Sequence, residues 1–151
     1  MAVLIRGRVR TKQACEFARI DPARFNEMVH ARHYRCAPET RPGSARLFDI
    51  DQTIALKIYG DLLSMSVVPD RAGQIACSAY KFFAGQKKVE RVVYRCDDSG
   101  KWIMDKENSN SRMKKPRSLQ VVFDISELRE QCRDIFDQGF YLGEGDDNAA
   151  P

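Results

Sequence analysis

Arg24, Asn26 and His30 are the residues whose types and spacing best suit directional recognition of another molecule. An Arg fork can pair with guanine O6 and N7, and an Asn amide with adenine N6 and N7. Arg41, Ser44 and Arg46 follow in a turn-rich segment and could meet phosphates or an adjacent minor groove. Thr11 and Lys12 open an earlier helical stretch, where free N–H groups and a cation suit a backbone phosphate. Each has a rival reading. Arg24, Asn26 and His30 could be an ordinary solvated helix face, and Arg46 could form a structural salt bridge to Asp49.

Other chemistry is poorly supported. His30 and His33 have no obvious Cys or Asp partner, and the cysteines lack metal-ligand spacing. Asp97-Asp98 reads as turn chemistry rather than a catalytic pair. No Gly-rich loop resembles a phosphate-binding loop. No metal, cofactor or enzymatic activity is therefore expected. Trp102, Tyr94 and Phe123 could line a small pocket, but aromatic residues in a small sheet are more often core.

Several elements would position the candidate residues. Thr11 can cap a first helix carrying Ala14, Cys15, Phe17 and Ala18 on its buried side. Asp21-Pro22 is a strong start signal for a second helix, running to about Arg32 with Phe25, Met28 and Val29 inward. Pro42-Gly43-Ser44 is turn chemistry, so residues 37–47 read as a small hairpin that Leu47 and Phe48 anchor. Asp49 or Asp51 caps a third helix with Ile54, Ile58, Leu62 and Met65 at helical spacing. Pro69 opens a fourth, with Ala72, Ile75, Ala76, Ala79 and Phe83 inward and Gly85 at its end.

The remainder reads differently. Val89–Cys96 and Lys101–Met104 look like strands around the Asp97–Gly100 turn. Leu119, Val121 and Phe123 alternate as a third strand. A last helix runs from near Ser126 to Gln138, with Leu128, Cys132 and Ile135 inward. Between them lies a polar loop with a basic cluster, Lys114-Lys115-Pro116-Arg117.

The 151 residues are 43% apolar, enough for a real core, and the formal net charge is +4. That charge is uneven: residues 1–50 hold ten Lys/Arg against five Asp/Glu, and residues 119–151 hold two against eight. A basic front suggests a polyanionic partner. There is no bilayer-length apolar run and no signal-peptide pattern, so the expectation is a cytoplasmic protein without a membrane partner. Cys15, Cys36, Cys77, Cys96 and Cys132 are scattered and odd in number, and isolated thiols are the expectation.

The order helix, turn, helix, wing, helix, helix resembles the DNA-binding domain of the MerR family over residues 9–83. Ile20-Asp21-Pro22 sits where that family has its turn and recognition-helix start. Tyr34 falls near the apolar position closing that helix. Gly43 to Asp51 resembles its wing exit, and Ser66 to Asp70 the entry to its fourth helix. Phe25-Asn26-Glu27-Met28 departs from the family's usual Arg-Tyr-Tyr, and strand-like residues replace its long dimerisation helix. Its mode of dimerisation, effector and target geometry do not carry over.

The expectation is an α+β protein. Residues 1–85 form a winged helix-turn-helix of four helices and a small wing. Residues 88–141 form a three-stranded antiparallel sheet with one helix, and residues 142–151 an acidic disordered tail. The expected function is sequence-specific double-stranded DNA binding by a bacterial or phage-type transcriptional regulator, a homodimer through its C-terminal region. An excisionase-like DNA-bending factor and a protein-interaction adaptor are the alternatives. The sequence leaves any small-molecule effector open.

Overall fold

A computed structural model of the chain describes residues 3–107 and 119–142. Its elements run β1 (Val3–Ile5), β2 (Val9–Arg10), α1 (Thr11–Ala18), α2 (Pro22–His30), β3 (Leu47–Phe48), α3 (Ile50–Ser64), α4 (Pro69–Phe83), β4 (Arg91–Cys96), β5 (Trp102–Glu107), β6 (Gln120–Asp124), α5 (Ile125–Gln138) and β7 (Phe140–Leu142). The fold is α+β, as the sequence predicts. Four helices come first, then an antiparallel sheet in the order β5-β4-β6 and a fifth helix. One buried cluster extends through both parts, from Val9 and Phe25 through Ile54 and Ala76 to Val92, Phe123 and Cys132.

Local chemistry explains most helix ends. Asp21 caps α2 by accepting from the Ala23 N–H at 2.8 Å, with Pro22 in the first turn. Asp49 caps α3, accepting from Gln52 N at 2.7 Å while Gln52 Oε1 accepts from Asp49 N at 2.8 Å. This reciprocal capping box satisfies two N–H groups that the helix itself cannot. Asp124 caps α5 one residue earlier than the sequence suggests, accepting from Glu127 N at 3.0 Å. Asp97 holds the β4–β5 turn, accepting from Ser99 N and Lys101 N, each at 2.9 Å. Those hydrogen bonds, the one from the Ser99 hydroxyl first, hold its carboxyl below the usual range.

Two glycines let backbones meet. A Cβ on Gly60 of α3 would lie 2.1 Å from the Ala18 carbonyl oxygen at the end of α1. A Cβ on Gly73 of α4 would lie 1.7 Å from the His33 carbonyl oxygen, just past α2. Glycine at these positions allows the helix-turn-helix to seat directly on α3 and α4. An aromatic chain fills the space between: Phe48 to Phe25 at 5.8 Å, Phe25 to Tyr34 at 6.0 Å and Tyr34 to Tyr59 at 4.7 Å between centroids.

Several expectations require correction. The segment 37–47 is not a self-paired hairpin: β3 pairs antiparallel with β2, Val9 opposite Phe48 and Arg10 opposite Leu47. The N-terminal strand thus supplies the hydrogen bonds expected from the other limb of the loop. Thr11 is not the cap of α1 but its first residue; Arg10 is the cap, and its N–H donates to Gln13 Oε1 at 3.0 Å. Met65 leaves the apolar stripe because α3 ends at Ser64, and it is 66% exposed. Cys36 and Cys77 form a disulfide with Cα atoms 5.5 Å apart, so the expectation of isolated thiols holds only for Cys15, Cys96 and Cys132. The backbone contact at Gly73, one turn before Cys77, is what brings that pair together. Leu142, assigned to the tail, lies in β7, which pairs with β1. The cluster 114–117 and residues 143–151 lie outside the described residues.

Arg129 of α5 joins the helical part to the sheet part. Its guanidinium donates to the carbonyls of Val89 at 2.9 Å, Gln86 at 3.0 Å, Phe83 at 3.2 Å and Lys87 at 3.3 Å. It also lies 3.8 Å from the Asp51 carboxylate, whose other oxygen accepts from Gly85 N at 2.9 Å. The Phe83 and Gln86 carbonyls also accept from Gln86 N at 2.9 Å and Val89 N at 3.1 Å. Replacing Arg129 by Ala removes the donor to the Lys87 and Val89 carbonyls and the cation beside Asp51, and should cost about 2–3 kcal/mol in urea unfolding. Arg129→Lys keeps the charge beside Asp51 but loses the fork, so it should recover only part of that loss.

Candidate nucleic-acid interface

α2 is held by one face. Phe25 and Met28 are buried, and Met28 Sδ accepts from the Tyr59 hydroxyl at 3.0 Å. Burial among apolar neighbours pushes the Tyr59 phenol up to about 12. Arg24, Glu27 and His30 are exposed and Asn26 is half-buried. With about 100° per residue, Asn26 and His30 share one flank at i, i+4. Arg24 lies on the opposite flank, and Glu27 sits between the two on the outer face. The three polar residues therefore bracket the exposed face of α2 rather than forming one row. A carboxylate in such a position can accept from cytosine N4.

The other sequence-predicted residues divide into two groups. Lys12, Arg41 and Ser44 are exposed, Lys12 at the start of α1 and the other two on the wing. Thr11 is nearly buried. Arg46 turns inward. Its guanidinium stacks over the Phe25 ring at 5.7 Å and donates to the Pro38 carbonyl. Burial lowers its proton affinity relative to a free arginine. Arg46 thus closes the wing loop over α2; the salt bridge to Asp49 expected as its rival role is not formed, because the guanidinium is taken up by the Phe25 ring and the Pro38 carbonyl instead.

Sequence reasoning missed two cations. Arg19, in the turn before α2, and Arg32, just after it, both have a left-handed backbone, with φ of 57° and 62°. Both are exposed, so their side chains flank α2 at its two ends. The available signal was that each follows immediately on the last residues of a helical stretch, where chain reversal is expected. Among the described residues, Lys12, Arg19, Arg24, Arg32 and Arg41 make no side-chain hydrogen bond or ion pair. Ion pairs among the described residues include Lys57–Asp61, Arg91–Glu107, Arg95–Asp105, Arg129–Asp51 and Arg133–Glu130.

Among the described residues, no activated nucleophile lies near α2. Cys15 lies beneath the helix-turn-helix, and burial, aided by Asp21, pushes its thiol up to about 12. The C-terminal aromatic residues divide as well: Phe123 is core, whereas Trp102 stacks on Tyr94 at 5.0 Å and stays 37% exposed.

Comparison with protein-family models finds no match for this chain, and no curated protein is significantly similar to it.

Arg46→Lys should lower stability by about 1 kcal/mol in urea unfolding, because an ammonium neither stacks on Phe25 as a plane nor reproduces the fork. Arg41→Ala, at an exposed site, should leave stability within about 0.5 kcal/mol of the parent chain.

Proposed function

We propose that this protein binds double-stranded DNA with sequence specificity, as a transcriptional regulator of bacterial or phage type. In this reading α2 enters the major groove, and the wing, residues 37–47, lies along the backbone. The observation that carries it is the set of exposed cations around α2 that have no side-chain partner among the described residues: Lys12, Arg19, Arg24, Arg32 and Arg41. Cations that no described carboxylate neutralises are suited to phosphates, where binding releases condensed counterions. Arg24, Asn26 and His30 are the base-reading candidates, and Lys12, Arg41 and Ser44 the backbone candidates. The resemblance to the MerR DNA-binding domain supports the same reading. A DNA-bound regulator would work in the cytoplasm.

One such module spans few base pairs, so a homodimer on two half-sites belongs to the proposal. The sheet supports this: among the described residues β6 is an edge strand, and Val122 on it and Leu119 just before it are 46% and 60% exposed. An apolar, unpaired edge is suited to antiparallel pairing with a second copy.

Selection of bound DNA from a random pool at near-physiological salt tests the reading. A palindromic motif is the expected result; direct repeats would favour an excisionase-like bending factor, and no motif would favour a protein adaptor. On the selected site Arg24→Ala should cost about 1–3 kcal/mol of affinity, and much less on random DNA. Val122→Lys should shift the sedimentation of the free protein from dimer to monomer without unfolding it. A parent chain that sediments as a monomer both free and on DNA would remove the dimer.

A further inference from the structure

The Cys36–Cys77 disulfide sits where α2 hands over to the wing. The chain leaves α2 at His30, crosses α4 with the His33 carbonyl against Gly73, and is tied at Cys36 to Cys77 one turn further along α4. Both cysteines are only half-buried. They line a surface cavity of about 500 Å³ whose other walls include Arg32, Arg35, Lys81 and Ser78. The cavity thus joins an accessible disulfide to a cationic rim; among the described residues Asp70 is the one carboxylate in its wall. Lys81 lies at i+4 from Cys77 on α4, one turn away on the same face. A cation there favours a thiolate at Cys77.

We propose that Cys36–Cys77 is a thiol-exchange site that receives an anionic thiol of the glutathione class and thereby frees the wing from α4. The thiolate of the incoming molecule attacks Cys36 Sγ, forming a new S–S bond as the Cys36–Cys77 bond breaks. The electron pair leaves on Cys77 as a thiolate, beside Lys81. A second thiolate then attacks the sulfur that the first contributed. It expels Cys36 as a thiolate, which takes a proton from solvent as Cys77 also does. The balance is two thiols oxidised to one disulfide and one protein disulfide reduced to two cysteines. Cys36 is the attacked sulfur because it lies on an irregular segment that can move away, whereas Cys77 is fixed in mid-helix. Arg35 and Arg32 bind the carboxylates of the incoming thiol.

Release changes the wing and leaves α2 in place. Phe25 and Met28 still pack beneath α2, and Arg46 still stacks on Phe25. The segment 33–36 loses its only covalent tie to α4. If the protein is a cytoplasmic DNA-binding regulator, as proposed above, this exchange regulates its affinity. A disulfide in that compartment is characteristically transient or redox-sensing.

Exchange kinetics on the intact oxidised chain test the proposal without DNA. After correction for thiolate fraction, glutathione should react about tenfold faster than the cationic thiol cysteamine at low salt, and the advantage should fade with added salt. Arg35→Ala should remove most of that advantage, and mass spectrometry should find the mixed disulfide on Cys36. Equal rates for the two thiols, or a preference for cysteamine, would overturn the docking site. In the reduced chain, still folded by circular dichroism, trypsin should cleave after Arg35 several-fold faster. Unchanged cleavage would overturn release of the wing. On a selected DNA site, reduction should weaken binding about tenfold as the wing loses its preorganisation. Equal affinity would overturn the regulatory role. If neither form binds any DNA, the DNA reading falls, while exchange and proteolysis still decide the thiol site.

Discussion

Arg129 is the side chain on which the assembly of this fold depends. α4 ends at Phe83, and the chain then turns through residues 84–89 into the sheet. Such a turn satisfies only some of its carbonyls itself, those of Phe83 and Gln86 through Gln86 N and Val89 N, and carbonyls left without donors are costly. One guanidinium from α5 donates to four carbonyls of this segment and approaches Asp51 of α3. A planar fork with five N–H donors is the side chain able to serve so many acceptors at once. The contact ties α3, α4, α5 and the start of the sheet together. The two parts share one buried cluster on this account, and the β1–β7 pairing adds a second connection between the chain's two ends.

The helix-turn-helix depends on a different constraint, the close approach of backbones. Gly60 and Gly73 admit the carbonyls of Ala18 and His33 against α3 and α4. That pressing leaves α2 held from beneath by Phe25, Met28 and Val29, while Arg24, Glu27 and His30 stay exposed. The same approach at Gly73 brings Cys36 to Cys77. Stability and exposure of the candidate interface thus have one origin: α2 is fixed at its base and free on its outer face.

Much of the helical part was legible in the sequence. Asp21-Pro22 and Asp49 with Gln52 act within one turn of themselves, so their meaning survives without tertiary information. The apolar period of α4 and the Asp97–Gly100 turn are equally local. The wing was harder to read. Pro42-Gly43 correctly marks a reversal, but the partner of Leu47-Phe48 is Val9-Arg10, far back in the chain. Among the candidate site residues, Lys12, Arg24, Arg41 and Ser44 are exposed as their types suggest, and Arg46 is not, because the Phe25 ring offers its cation a surface that no local pattern reveals.

By itself, then, the sequence determined where helices start, which faces are apolar and how charge is divided along the chain. These properties act through neighbours a few residues apart. The tertiary structure alone decided which acid does what and which cysteines meet. Asp49 and Asp51 are two residues apart and equally plausible as caps, yet one caps α3 and the other faces Gly85 and Arg129. Cys36 and Cys77 are 41 residues apart, and nothing in their spacing selects that pair among five cysteines. Long-range pairs are set by how helices stack, and stacking depends on small residues such as Gly73 whose significance appears only once the backbones are in contact.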